Sequence, residues 1–380
     1  IGGDPASSQS AIIVPVPGDE TLYYIFTTQA VNGTALFEVR YSLFDLKLNA
    51  GNGALQQKNV LLFSKSTERI TANQNWLIVH EYGNNIFRSY PITAEGIGQP
   101  VYSEVGSVHS FQSAVNAEGY MKIGPRNNVA VALSTPGTSN LIELFTLNDL
   151  TGRLDNFRQI NLNEPNGQVY GIEFSPGGNK VFATVKGSPT PSQIFEYFLD
   201  SLNRPFFRQR INQNLELGAI QRAPDNQLYV AINGSSVLGT IQANEDTTQL
   251  SVFNPSGFTL LGGTNSRLGL PNFIQFQANA FGGPGFSFAG VCVGDSTRFT
   301  GTATDPIDNF MWSFGDGNNS TESSPAHLYA AAGVYTVSMR LTNRCGLDTT
   351  LVQQVEIFDP PAAPSIPGAI ALCTGSVILD

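Results

Sequence analysis

One phrase recurs along this chain: a short strand, a turn with proline at a fixed offset, then a second strand of alternating apolar residues. It reads GYMKIGPRNNVAVAL from Gly119, YGIEFSPGGNKVFAT from Tyr170 and GAIQRAPDNQLYVAI from Gly218, with looser copies around Ile70 and Ile12. Copies stand about 47 to 58 residues apart, the length of one four-stranded antiparallel unit that buries its faces only by stacking on its neighbours. A second phrase follows four of these five copies in step: ALFEVRYSLFDLKLNAGNG, NNIFRSYPITAEGIGQP, NLIELFTLNDLTGRL and SQIFEYFLDSLNRPF. Each gives an alternating strand, a polar tight turn and a return strand. The expectation is an all-β chain, and 38 Gly, 22 Pro and 25 Phe against 13% charged residues agree with it.

This two-part repeat resembles the tryptophan-aspartate-repeat and YVTN-type β-propellers over residues 10–278, with SPGGNKVFAT in the place of their SPDG turn. The resemblance implies a propeller of about six to seven blades, the first incomplete, over residues 1–279. Such propellers serve mostly as binding platforms. Asp225, in the APDNQ turn, reads as a turn former.

Beyond LGLPNFIQFQ the period stops. FGGPGFSF (281–288) reads as a linker, and the strands RFTGTA, NFMWSF, VYTVSMRLTN and TLVQQVEI follow at the spacing of an immunoglobulin-like sandwich. WSFGDG, SPAHLY and GVYTVSMRLTN closely resemble the polycystic-kidney-disease (PKD) repeat, here assigned to 280–359. The resemblance implies a structural signature of Trp312, Phe314, Gly315, Asp316, Gly317, His327 and Tyr335. Trp312 belongs in the core, Gly315 and Gly317 take positive φ, and Asp316 accepts N–H bonds within its own turn. Calcium is the competing reading for Asp316 with Asp305 and Asp308, but their spacing is not that of a calcium loop.

In such a sandwich Cys292, on the first strand, and Cys345, after VYTVSMRLTN, can approach within disulfide range and close a loop of about 50 residues. Three unrelated thiols are the alternative. Cys373 lies in 360–380, read as a Pro-rich linker and the start of a further Ig-like domain, its partner expected beyond Asp380. A disulfide places the chain in an oxidising compartment. There is no initiator Met, and Ile1 reads as part of a loop, so residues upstream are expected to be missing.

SSQSAIIVPVPGDETLYYIFTT, NSRLGLPNFIQFQ and the step into FAGVCVGDSTRFT resemble large modular surface proteins of Bacteroidota. Those join a propeller to PKD and Ig-like repeats and end in a gliding-motility-associated sorting domain used by type IX secretion. Many relatives carry cysteine where Arg267 or Leu268 stands here. The resemblance also suggests O-glycosylation at Ser201, Thr247, Ser296 and Thr349, each following an aspartate; ordinary turn and strand-edge residues are the alternative.

Net charge −10 excludes a nucleic-acid partner, and no apolar run reaches the roughly 18 residues of a membrane span. The three histidines, His80, His109 and His327, lack zinc spacing, and no GxSxG or P-loop occurs. A glycosidase would need two facing acids drawn from Glu81, Glu143, Glu173 and Glu196, which repeat geometry places on different blades. The expectation is therefore a non-catalytic, extracellular or outer-surface bacterial protein without cofactor or metal. Its propeller, through loops such as 103–118 and 186–193, would engage a glycan or protein, or partner surface and secretion-system proteins. The alternatives are a filament or surface-layer component without a ligand, or the accessory region of a secreted hydrolase.

Overall fold

The computed structural model describes residues 2–31, 37–110, 113–135, 139–164, 167–187, 191–200, 204–246, 248–274, 285–302, 309–342 and 348–360. The chain divides into two compact units, Ile1–Asn279 and Ala280–Asp380. The described residues form 28 strands and two single-turn 3-10 segments, and no helix is long and apolar enough to cross a membrane.

The first unit is a β-propeller whose described residues form five blades, each an antiparallel meander. Blade one holds β1 (Ala11–Val16), β2 (Asp19–Thr28), β3 (Val39–Asp45) and β4 (Ala54–Phe63). Blade two holds β5 (Ser66–Ala72), β6 (Trp76–Glu81), β7 (Ile86–Thr93) and the short outer pieces β8 (Gly96–Ile97) and β9 (Val101–Glu104), both paired to β7. Blade three holds β10 (Met121–Ile123), β11 (Asn128–Thr135), β12 (Ser139–Leu147) and β13 (Leu154–Asn161). Blade four holds β14 (Gly167–Phe174), β15 (Lys180–Gly187), β16 (Ser192–Leu199) and β17 (Pro205–Gln213). Blade five holds β18 (Leu217–Arg222), β19 (Leu228–Ile232), β20 (Val237–Gln242) and β21 (Val252–Thr259).

The recurring phrase is the first hairpin of a blade: GYMKIGPRNNVAVAL spans β10 and β11, YGIEFSPGGNKVFAT β14 and β15, and GAIQRAPDNQLYVAI β18 and β19. Strands inside the stack are buried on both faces because a blade lies against each; β11 is largely apolar, while β5 (STERITA) buries Glu68 and Arg69 as well. The turn after each first strand closes as the phrase requires, Asn226 adopting positive φ and Asp225 accepting from the Gln227 amide at 2.9 Å.

The seams between blades are backbone-close. A Cβ on Gly171 would stand 2.5 Å from the Gly218 carbonyl oxygen, and one on Gly218 2.1 Å from that of Leu268. At these seams only glycine fits.

The second unit is a two-sheet sandwich. One sheet pairs β22 (Gly285–Ala289), β23 (Ser296–Thr302) and β26 (Ala326–Leu328); the other orders β25 (Asn319–Ser320), β24 (Asn309–Ser313), β27 (Gly333–Thr342) and β28 (Asp348–Ile357). The core between them holds Phe286, Phe299, Trp312, Phe314, Tyr329, Val337 and Met339. The linker expected over 281–288 gives way to a strand from Gly285. Its GFSFA alternates, and Phe286 packs edge-on against Trp312 at 5.2 Å between centroids. Cys292 lies past that first strand, in an isolated parallel bridge to Phe358. Cys345, Cys373 and the proposed further domain lie outside the described residues, as does the disulfide.

Candidate functional site

The inner strands β1, β5, β10, β14 and β18 abut in chain order, and side chains beside them bond across to their neighbours. Ser8 and Gln9, just before β1, reach across. The Gln9 Oε1 accepts from the amides of Ile70 (3.1 Å) and Met121 (2.8 Å), and its Nε2 donates to the Met121 carbonyl (3.1 Å). Glu68 receives the Ser8 amide (2.6 Å), the Ser8 hydroxyl (2.8 Å) and the Val31 amide (2.8 Å). Burial still pushes its carboxyl above the usual range, against those bonds.

Residues 266–274 bond to these inner strands. The Ala219 amide donates to the Leu268 carbonyl at 2.7 Å, the Lys122 Nζ to the Asn272 Oδ1 at 2.8 Å, and the Asn272 Nδ2 to the Ile70 carbonyl at 3.3 Å. Phe273 forms a parallel bridge with Ile13. Lys122 is buried, donates to Gln221 at 2.5 Å and stands 3.7 Å from the Glu173 carboxylate. Burial lowers its pKa, opposed by Glu173.

A second buried constellation sits between blades two and three. His80, at the end of β6, stacks on His109 with ring centroids 3.5 Å apart and meets Phe87 edge-on at 4.4 Å. Arg69 donates to the carbonyls of Ala132 (2.9 Å), Asn116 (3.0 Å) and Glu118, and approaches His109 Nδ1 at 3.4 Å. An arginine only donates, so Nδ1 of His109 accepts and its Nε2–H points at Glu143 Oε2, 3.3 Å away. The Ser107 amide donates to the other Glu143 oxygen at 2.9 Å. Arg69, His80, His109 and Glu143 are all fully buried. Burial drives both imidazoles well below their usual range, Arg69 adding to the effect, brings the Arg69 guanidinium down to about 10 and raises Glu143. Both histidines are therefore neutral at pH 7.

Sequence spacing set the histidines far apart, and the fold brings His80 and His109 together. The loop after β9 does this by folding back onto the β6–β7 turn, the Gly83 amide donating to the His109 carbonyl at 2.7 Å and the His109 amide to the Asn84 carbonyl at 2.9 Å; no local motif signals it. The four blade acids do not each take a separate blade as expected: Glu173 on β14 and Glu196 on β16 share blade four, because one blade spans both phrases of the repeat, and each acid has its own partners. Glu81 binds Arg88 Nε (2.6 Å) and Asn84 (2.7 Å). Glu143 faces His109, and Glu173 takes the amides of Phe174 (2.9 Å) and Arg222 (3.1 Å). Glu196 pairs with Lys180 at 2.8 Å and with the Ser251 hydroxyl at 3.0 Å. The loop 103–118 is less open than expected: among its described residues only Glu104, Val108 and Ala114 are fully exposed, because His109 and Asn116 anchor it. In the second loop, residues 188–190 lie outside the described residues, while Ser192 and Gln193 are buried.

In the sandwich, Trp312 is fully buried and its Nε1 donates to the Glu322 carbonyl at 2.9 Å. Gly315 and Gly317 have φ of 82° and 95°. Asp316 receives the Asn318 amide (3.0 Å) and side chain (3.1 Å) and His327 Nε2 (2.7 Å). His327 packs as expected, stacked on Phe314 at 4.2 Å with 3° between planes; its bond to Asp316 was not foreseen. Burial is the largest effect on Asp316 and pushes it up, but the Asn318 and His327 bonds together hold it below the usual carboxylate range. Tyr335 donates to the Ala331 carbonyl at 2.9 Å. Asp305 and Asp308 lie outside the described residues, among which no group of three or more acidic, His or Cys side chains is arranged to hold a metal. Of the glycosylation candidates, Ser201 and Thr247 lie outside the described residues, Ser296 is exposed and Thr349 half-buried.

A family model described as PKD domain matches residues 288–358. The chain is 41% identical over 69 residues to a microbial collagenase of Vibrio alginolyticus, 17% of this chain and 8% of that protein. It is 36% identical over 58 residues to the pre-pro-metalloprotease PrtV of Vibrio cholerae, 15% and 6% respectively. The chain thus spans less than a tenth of the curated relatives it matches. Among solved structures, the first PKD domain of the V. cholerae metalloprotease is 28% identical, covering 20% of this chain and 93% of that one, with a TM-score of 0.19. A periplasmic gluconolactonase of Pseudomonas aeruginosa is 13% identical, covering 91% and 85%, with a TM-score of 0.47. Fold and family match together give a modular chain in which a β-propeller precedes a PKD domain at residues 288–358.

Proposed function

We propose that this chain is a non-catalytic part of a secreted or cell-surface protein acting in adhesion or surface architecture. The propeller is the binding platform and the PKD domain a spacer. One observation carries the reading: each of the four blade acids is engaged by its own base, Glu81 by Arg88, Glu143 by His109, Glu173 by Lys122 and Glu196 by Lys180. Binding is then left to the outer surface and rim of the blades, against a glycan or protein. The PKD matches, which lie in collagenase and metalloprotease chains, support an extracellular location and a modular role. They also keep the accessory-region reading in play, in which a hydrolase domain lies elsewhere in the same protein.

The test is binding of the purified 380-residue chain to a glycan array and to fibrillar collagen. Saturable binding, competed by soluble ligand, is the expected result. Concentration-dependent self-assembly without binding to either would replace it with the filament reading. Turnover of lactone or glycoside substrates that is lost in Glu143→Gln or Glu173→Gln would overturn it.

A further inference from the structure

Of residues 105–110, the stretch that follows β9, only His109 is buried; Val108 is 56% exposed and the others are half-buried. Main-chain bonds lay this strap on its neighbours. The Val105 amide donates to the Asn85 carbonyl (3.1 Å), the His109 amide to that of Asn84 (2.9 Å) and the Gly83 amide to that of His109 (2.7 Å). Gly106 rests on blade three, where a Cβ would stand 2.8 Å from Phe145 Cζ and 3.5 Å from Glu143 Oε2. Phe145 in turn lies edge-on to Phe87, 4.9 Å between centroids. The strap thus covers an aromatic floor, and one side chain plugs it in.

That side chain meets charge from each element packed around it. Arg69 on β5 approaches to 3.4 Å, His80 on β6 stacks at 3.5 Å and Glu143 on β12 stands 3.3 Å away. Glu68, Glu118 and Tyr82 act on Arg69 from further off, but Glu68 is engaged by Ser8 and Val31, Glu118 by Gln168 and Glu81, next to His80, by Arg88. With both imidazoles neutral the cluster holds one cation, Arg69, and one anion, Glu143. Protonating both rings sets three cations against one carboxylate in a fully buried site, two of them face to face. Neither nitrogen of His80 has a hydrogen-bond partner, so a charged ring there finds no acceptor. His109 is the one cation of the three carried by the strap, and lifting the strap separates the charges.

We infer that residues 105–110 are an acid-released strap: when His80 and His109 take up protons, His109 leaves its slot with the strap, uncovering Phe87 and Phe145 between blades two and three while the blades stay folded. Release breaks the three main-chain bonds above and the bond from the Ser107 amide to Glu143. Little else holds the strap, whose remaining large side chains are Val105 and Val108. The aromatic slot is therefore closed at neutral pH and opened by acid. The inference is independent of the adhesion reading.

Hydrogen exchange of the 380-residue chain between pH 7 and 5, corrected for the intrinsic pH dependence of amide exchange, tests this. Protection of the Gly83, Val105 and His109 amides should fall at least about ten-fold over that range, as two imidazoles regain their ordinary proton affinity near pH 6.5 in the open form. Amides of β14 and β15 should keep their protection. With His80→Phe and His109→Gln combined, strap protection should no longer vary with pH. Three outcomes would overturn the proposal: constant strap protection in the unaltered chain; an equal loss in β14 and β15, which means that the whole propeller opens; or undiminished pH dependence in the double variant, which assigns the proton uptake to other groups. The first two need no variant, so they decide the matter even where the double variant does not fold.

Discussion

The amide of Ala219 donates to the carbonyl of Leu268 at 2.7 Å, tying the last complete blade to a segment 49 residues further on. The Gly218 Cα lies so close to that carbonyl that a Cβ would sit 2.1 Å from its oxygen. Gly218→Ala therefore forces the two backbones apart and should cost about 2–4 kcal/mol. Chemical denaturation of the chain measures it, and Gly234→Ala, where a Cβ would meet nothing within 4 Å but φ is +74°, should cost no more than about 1–2 kcal/mol.

Lys122 and Glu173 form a buried pair 3.7 Å apart. Lys122→Met removes the ammonium and leaves the carboxylate facing an apolar side chain, for an expected loss of about 3–5 kcal/mol. Lys122→Met with Glu173→Gln should recover part of that loss. A double-mutant cycle by urea denaturation reads the coupling; strict additivity would show that the pair does not interact.

The stacked histidines make the propeller acid-sensitive. Burial depresses both imidazoles in the folded state, so the unfolded chain binds protons first. Stability is complete above the unfolded value of about 6.5 and falls as pH drops below it, by up to about 1.4 kcal/mol per pH unit for each histidine. His80→Phe keeps the ring stack and removes a group whose two nitrogens have no hydrogen-bond partner. It should leave stability at pH 7 unchanged or higher and roughly halve the slope between pH 6.5 and 5, measured by urea midpoints across that range.

Asp316 acts over a different window. Its folded pKa is depressed, so its contribution is present above the unfolded carboxyl value of about 3.9 and is lost as pH falls through the lower folded value. Asp316→Asn should destabilise the PKD unit at pH 7 by under about 1 kcal/mol, since the site is near the surface, and flatten its unfolding below pH 4. Near-ultraviolet circular dichroism in a Trp76→Phe background, where Trp312 is the one tryptophan left, follows that unit.

What was legible in the sequence follows from range. The first hairpin of each blade shows in three phrases because alternation and turn chemistry are local, and WSFGDG shows for the same reason: Gly315, Asp316 and Asn318 act within four residues of one another. The His80–His109 stack is invisible because its partners lie 29 residues apart and meet only when the loop after β9 folds back onto the β6–β7 turn. GFSFA was hidden by the glycines and proline beside it, which outweighed the Phe286–Phe288 alternation. Residues 266–274 read as coil because Pro271 and Gly269 interrupt them, and only their links to Ala219, Ile70 and Ile13 tie them to the inner strands.

The glycine seams have a consequence for how this propeller can change. Gly171 and Gly218 join their neighbours through main-chain atoms, whereas blades two to four are also tied by buried side chains, Arg69 to Ala132 and Lys122 to Glu173. A unit that replaced blade five would have to bring its own glycine, while one that replaced blade three or four would also have to bring a matching buried partner.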